Sequence, residues 1–320
     1  MTNFWTKLNK PFTALAPMED VTEFVFREIL SDIAKPDVLF TEFTCTDALF
    51  TKGHDAAARR LLFSQKQKPI VAQIWGATPE HFTQAAEFIA QLGFDGIDIN
   101  MGCPAKDVIR KKSGAALIKH INLADQLIKT TLKGAPNIPV SVKTRLGKDR
   151  EETTEWVSFL LTSGVTALTI HGRDTKSMSK GSANWDEIGY AVELKNKINP
   201  QVLIIGNGDV ASYQEVLDKH DKYKVDGVMI GRGVFKNPWV FDKNPISINH
   251  SREEYVGLLL KHTKLFCDTW GTNKNFETLK KFFKVYIKDF KGADTLRTKL
   301  MSTQSYTEVK RQLGKFKYRI

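Results

Sequence analysis

Three reactive side chains stand directly after short apolar runs: Lys143 in SVKTR, His171 in TIHGR and Cys103 in NMGCP. A lysine behind a strand-like run is costly to bury without an anionic partner. A lone histidine there is more often a satisfied structural residue, but beside Lys143 it can hold an anionic or carbonyl-bearing ring. Gly102 and Pro104 fix a tight turn around Cys103, which presents the thiol instead of packing it. No cation adjoins it in sequence, and an ordinary thiol, with a pKa of about 8.5, stays protonated at neutral pH. That state suits a proton donor better than a nucleophile. Gln73, in VAQIW, offers a donor and an acceptor that can read the edge of a planar heterocycle. Two glycine-rich turns follow the last two apolar runs: IGNGD, with Asn207, Gly208 and Asp209, and IGRG, with Gly231 and Arg232. Glycines let backbone N–H groups approach an anion, and Arg232 adds charge-assisted bonds. Together the turns predict a phosphate-bearing ligand.

Positioning these groups takes eight apolar runs: FTALAPM, VLFTEFT, PIVAQIWG, GIDINMG, PVSVKTR, ALTIHGR, QVLIIGNGD and GVMIGRG. Their starts lie 26 to 43 residues apart, room for a strand, a helix and two loops each time. Helical spacing fills the gaps, for example over 79–92, 114–132 and 151–162, with Thr78-Pro79 as an N-cap and first-turn proline. Eight βα units predict a (β/α)8 TIM barrel; a doubly wound open sheet is the rival. Barrel active sites form at the C-terminal strand ends, with phosphate held after the last two strands. Here Met18, Glu42, Gln73, Asn100, Lys143, His171, Asn207 and Arg232 each follow an apolar run, which favours the barrel.

Beyond Asn237-Pro238 the pattern is helical only, so the chain divides into a barrel over 1–245 and a smaller all-helical C-terminal domain over 246–320. Ser251-x-x-Glu254 and Ser305-x-x-Glu308 read as capping boxes. Over 272–291, Phe276, Leu279, Phe283, Tyr286, Ile287 and Phe290 share one helical face and are expected in the core. Lys281, Lys284, Lys288 and Lys291 share another, either a solvated face or a row of phosphate contacts. The charge is uneven. The chain carries 47 basic and 36 acidic residues, and the last 70 residues hold 16 and 7 of them, leaving the barrel near neutral. A basic helical quarter on a neutral body points to a polyanionic partner, with nucleic acid ahead of lipid. No apolar run approaches the ~18 residues of a membrane span, and the N-terminus has no signal-like apolar core. Cys45 and Cys267 read as packing residues, and three scattered cysteines make neither a metal centre nor a disulfide framework. These features predict a cytoplasmic protein with no metal and no membrane partner, and a monomer.

Several motifs coincide in order along the barrel: APMEDVTEFVFR (16–27), TEF (41–43), AQIWG (72–76), DINMGCPAKDVIRKKSGAALI (98–118), VKTRLG (142–147), HGR (171–173), GNGD (206–209) and GR (231–232). In these the chain resembles the dihydrouridine synthases, FMN-dependent flavoenzymes that reduce uridine in tRNA, and its basic tail is similar to their RNA-binding domain. The resemblance implies Cys103 as proton donor. It implies FMN contacts at Pro17, Met18, Glu19, Gln73, Lys143, His171, Asn207, Gly208, Asp209, Gly231 and Arg232. It places Asn100 and Arg145 at the target uracil; Arg173 is also expected on the substrate side, and the stripe Lys281, Lys284, Lys288 and Lys291 is expected on the RNA backbone. One stretch departs: Asp174 follows HGR, and Ser179 stands two residues before Gly181 where the family has tyrosine, so no tyrosine role is carried over.

The implied chemistry agrees with these residues. The C5=C6 bond of uracil is conjugated to the C4 carbonyl, so hydride adds at C6 and leaves an enolate that needs a proton at C5. No side chain donates hydride, whereas a reduced flavin does. NADPH is the implied electron donor, and the missing G-x-G-x-x-G fits transient binding at the same mouth. A paired base must leave its stack to be reached. The partner expected is tRNA, with ribosomal RNA as a further polyanion. An FMN barrel acting on a free pyrimidine or quinone is the alternative, and the basic tail argues against it. A retired barrel that only binds RNA is a third reading, distinguished by the absence of flavin.

Overall fold

The computed structural model describes residues 3–178, 180–244 and 250–316. Ser179 and the expected domain boundary at 245/246 lie outside the described residues. All eight apolar runs form parallel strands: β1 (Phe12–Leu15), β2 (Leu39–Phe40), β3 (Thr44–Cys45), β4 (Ile70–Trp75), β5 (Gly96–Met101), β6 (Val140–Arg145), β7 (Ala167–His171), β8 (Leu203–Asn207) and β9 (Gly227–Ile230). The ladder runs β1-β9-β8-β7-β6-β5-β4-β2. A parallel bridge between Ala14 and Val38 closes the ring. The open-sheet rival is thereby excluded.

The second run makes two strands where one was expected. Thr41 Oγ1 accepts the Gln73 N–H at 3.1 Å, a bond the strand backbone would otherwise take. Glu42 turns away to accept the Asp20 N–H at 2.6 Å. Pairing with β4 then resumes at Thr44.

Side chains alternate between two cores, as the two-residue strand period requires. Ala72, Ile74, Ile97, Ile99, Val140, Val142, Leu168, Ile170, Ile204, Val228 and Ile230 pack outward into the helix layer. Phe12, Ala14, Val71, Ala167, Ile205 and Met229 pack inward, with Trp5 from the short helix Phe4–Lys7 beneath them. The residues between the outward ones are therefore interior, and toward the C-terminal ends they become polar. The period thus delivers Gln73, Asp98, Asn100, Lys143, Arg145, His171 and Asn207 to one end of the barrel.

The helices follow the expected spacing with local changes. Pro79–Leu92 begins at Thr78 and proline, although Thr78 makes no side-chain cap bond. The stretch 114–132 splits into a 3-10 turn, Gly114–Lys119, and a helix, Ile121–Gly134. In the C-terminal part, Ser251 and Glu254 complete both halves of a capping box. At the second, Ser305 accepts the Glu308 N–H, but the Glu308 carboxylate reaches Gln304 N at 2.7 Å instead of the cap residue. The segment 272–291 is not one continuous helix but two single turns, Glu277–Lys280 and Phe283–Tyr286. Phe282 is buried as well as the expected Phe276, Leu279, Phe283, Tyr286 and Ile287, so apolar burial on more than one side breaks the single-face pattern. Helix Arg252–Trp270 docks on Phe24–Ile33 through Phe26, which stacks on His262 and meets Phe282 at a tilt. The Trp270 indole N–H bonds the buried Glu23 carboxylate at 2.9 Å. Among the described residues no helix is long and apolar enough to cross a membrane.

Candidate active site

A cleft of about 600 Å³ opens at the C-terminal strand ends, within the range of small-molecule and cofactor sites. Pro17, Met18, Asn100, Cys103, Lys143, Arg145, His171, Arg173, Asn207, Gly208, Asp209, Gly231 and Arg232 all line it. Two expected cofactor contacts do not. Gln73 is fully buried below the floor, and Glu19 turns outward to an ion pair with Arg60. The four lysines of the C-terminal stripe lie outside the cleft. Two of them bond its surrounding loops, Lys281 to the Asp20 carbonyl at 2.8 Å and Lys288 to the Lys236 carbonyl at 2.5 Å. Lys284 and Lys291 are exposed.

The floor is a directed hydrogen-bond chain. Ser141 Oγ and Gln73 Nε2 donate to the two oxygens of Asp98 at 2.6 and 2.7 Å. Gln73 Oε1 accepts from Asn100 Nδ2 at 2.9 Å, and Asn100 Oδ1 accepts the Gly102 and Cys103 N–H groups at 3.2 and 2.9 Å. A buried amide with every group satisfied has one orientation. The chain therefore fixes the turn that carries the Cys103 thiol. Burial pushes the Asp98 carboxyl up to about 6, against the opposing hydrogen bonds from Ser141 and Gln73.

The opposite wall is cationic. Lys143 Nζ donates to Asn207 Oδ1 at 3.2 Å, and Asn207 Nδ2 donates to the Met229 carbonyl at 2.8 Å. Burial, with the Arg145 charge behind it, brings the Lys143 ammonium down to about 8. Arg173 Nη1 meets His171 Nε2 at 3.1 Å. A guanidinium only donates, so Nε2 accepts and the His171 proton sits on Nδ1. Burial and the charges of Lys143, Arg145 and Arg173 push His171 down to about 2, so the ring is neutral at physiological pH. Burial alone would raise Asp209, but hydrogen bonds from Arg173 and the Ala183 N–H, with the Arg232 charge, hold it below the usual carboxylate range.

Two arginines given to the substrate side are occupied by protein. Arg145 donates to the carbonyls of Gly102, Asp174 and Met178 at 2.7, 3.1 and 2.7 Å. Arg173 is buried and holds Asp209 at 2.6 Å and Gly181 O at 2.5 Å. They hold Asp174, Met178 and Gly181 beside the cleft.

The two glycine turns differ in what requires glycine. Gly208 has φ +137°, and a Cβ there would lie 2.5 Å from Ala183 Cβ, so the fold itself demands glycine. At Gly231 a Cβ would meet only Ala16 Cβ and Met18 Sδ, both at an ordinary 3.5 Å. The protein has room for a side chain there, yet that side chain would fill the cleft. Such a cradle suits a ligand in close backbone approach. Ala16, Met18 and Met229 add apolar walls for a planar ring, and Lys143, Arg232 and Lys236 add positive charge. These residues fit a phosphorylated flavin. Phe43, Met229 and Lys236 were not among the sequence candidates, nor was the buried Asp98. The two-residue strand period is the signal that could have found Asp98, two places before Asn100.

The dihydrouridine synthase (Dus) family profile matches residues 14–320. A probable tRNA-dihydrouridine synthase of Staphylococcus epidermidis is 42% identical over 99% of this chain and 97% of its own length. Probable tRNA-dihydrouridine synthase 2 of Bacillus subtilis is also 42% identical, over 98% of this chain and 96% of its own. Among solved structures, a 2-naphthoyl-CoA reductase bound to 2-naphthoyl-CoA matches with a TM-score of 0.55 at 12% identity, covering 72% of this chain and 49% of the other, a likeness of fold alone.

Proposed function

The chain belongs to the dihydrouridine synthase family, flavin-using enzymes that reduce uridine in tRNA, and from that membership we propose how this cleft does so. The cofactor is FMN. The backbone turns at Gly208–Asp209 and Gly231, with the Arg232 side chain, would hold its phosphate, and Ala16, Pro17, Met18 and Lys143 would hold its ring. Bound there and reduced by NADPH, FMN would supply the hydride for C6 of uracil. Cys103 supplies the proton at C5 from Sγ, because its turn is pinned by the Asp98–Gln73–Asn100 chain. Gln73 acts through Asn100 and does not itself touch the cofactor. Lys143 places a positive charge beside the electron-rich ring system. His171, neutral and protonated on Nδ1, donates one hydrogen bond without adding charge.

The observation that carries this reading is the pairing of a fixed thiol with a glycine cradle that protein packing does not explain. The test is purified protein with flavin, NADPH and unmodified tRNA, followed by mass spectrometry of the digested RNA. Dihydrouridine at a defined position is expected. A protein that holds flavin and oxidises NADPH but leaves every uridine intact would overturn it.

A further inference from the structure

The barrel is near neutral as a whole, yet one segment of its rim is strongly basic. Residues 106–119, directly after the Cys103 turn, contain Lys106, Arg110, Lys111, Lys112 and Lys119 against one acid, Asp107. All five cations are exposed. Arg110 pairs with Asp107 at 2.8 Å in a solvent-facing contact, and Lys106, Lys112 and Lys119 make no side-chain ion pair among the described residues. Clustered like charges repel one another, and a polyanion relieves that repulsion.

Two further observations point the patch at the reaction. The segment is fixed in register with the thiol: Ala115 N–H donates to the Cys103 carbonyl at 3.0 Å. Gly114 makes this approach possible, since at its φ of +60° a Cβ would lie 2.6 Å from that carbonyl. An aromatic pair adjoins the patch. Phe43 lines the same cleft as Cys103, the Trp75 ring meets it edge-on at 6.4 Å, and Lys111 Nζ lies 5.4 Å from the Trp75 centroid. Both rings are partly exposed. Aromatic faces stack on unpaired bases of any identity, while cations alongside track the backbone.

We infer that this rim is a second RNA-docking face, separate from the C-terminal helices. It takes the unpaired nucleotides next to the target uridine, with phosphates on the cations of 106–119 and a base on the Phe43–Trp75 pair. The inference rests on the reading of the cleft as a uridine-reducing site. Its consequence is registration: phosphates held on a segment bonded to Cys103 set which nucleotide reaches the thiol.

The test compares two triple variants of the full chain. Lys106→Gln/Arg110→Gln/Lys112→Gln changes the rim. Lys7→Gln/Lys133→Gln/Lys197→Gln makes the same change in net charge at exposed positions on the opposite end of the barrel. Dihydrouridine formation on tRNA is measured at several salt concentrations, with flavin absorbance and melting temperature as checks of integrity. The rim variant should raise KM for tRNA at least tenfold. Its slope of log KM against log salt should flatten by about two, at roughly 0.7–0.9 for each phosphate no longer neutralised. The control should stay within twofold of wild type. Phe43→Ala should raise KM fivefold or more, and Phe43→Trp should restore it. Rim and control variants with the same KM and slope would overturn the inference, and a wild-type KM in Phe43→Ala would remove its stacking half. A wild-type protein that forms no dihydrouridine would instead overturn the functional reading beneath it.

Discussion

The two cleft glycines allow fold and cofactor binding to be separated by one methyl group each. At Gly231 the new Cβ would make ordinary 3.5 Å contacts with Ala16 and Met18. Its backbone is not left-handed, so Gly231→Ala should leave flavin-free stability within about 0.5 kcal/mol or raise it slightly by restricting the unfolded chain. The same methyl projects into the cleft. Overpacking a filled site costs about 1–3 kcal/mol, which weakens FMN binding about fivefold to about 150-fold. At Gly208 the order is reversed. A Cβ at φ +137° and 2.5 Å from Ala183 Cβ combines backbone strain with a clash. Gly208→Ala should destabilise the flavin-free protein by about 2–5 kcal/mol. Denaturant unfolding of the flavin-free proteins gives the stabilities, and fluorescence titration with FMN gives the affinities. If Gly231→Ala binds FMN as wild type does, the cradle is not where the cofactor approaches. If it unfolds as readily as Gly208→Ala, the packing argument is wrong.

Further outcomes follow from the hydrogen bonds and charges of the cleft. Cys103→Ala should keep its flavin and its reduction by NADPH while dihydrouridine formation falls by about 10²–10⁴-fold; near-normal turnover would place the proton elsewhere. Gln73→Leu leaves Asp98 Oδ2 and Asn100 Nδ2 buried without their hydrogen-bond partners, so it should cost about 2–4 kcal/mol in unfolding experiments and lower kcat through the loosened Cys103 turn. His171 has a folded pKa of about 2, below its unfolded 6.5, so its contribution is complete above pH 6.5 and is lost as pH falls. Asp98, raised to about 6, has the opposite sign, gaining stability as pH falls from 6 to 3.8. The difference between wild type and His171→Gln isolates the histidine. In flavin-free protein it should shrink by about 2.3 kcal/mol from pH 6.5 to 4.5, and a difference independent of pH would mean that His171 titrates freely.

The strand ends explain why so much of the site was legible. Apolar runs at regular spacing define the strands, and a residue's place after a run sets its place at the mouth. Asn100, Cys103, Lys143, His171, Asn207 and Arg232 were found this way, and all line one cleft. Gln73 obeys the same rule but lies one layer deeper, because β4 offers its next inward position only at Trp75. Glu19 follows the run of β1 on a loop, where no strand period governs direction, and Arg60 draws its carboxylate away. The lysine stripe was drawn on one helix, but the chain there forms two single turns, so its four members do not lie along one continuous helix.

The order and parity of residues along the chain therefore determined the barrel, its polar end and the groups gathered there, since a two-residue period and a closed parallel sheet leave little freedom. Only the tertiary structure decided what those groups are free to do. Arg145 and Arg173 have the charge to bind substrate, but the 174–181 loop brings carbonyls that take their donors. Lys143 and His171 owe their shifted protonation to burial beside other cations. Gly208 and Gly231 look alike as letters, and backbone φ with the close approach of Ala183 separates a glycine the fold needs from one that makes room for a ligand. Burial, partnership and close approach are properties of residues distant in sequence, and no local pattern encodes them.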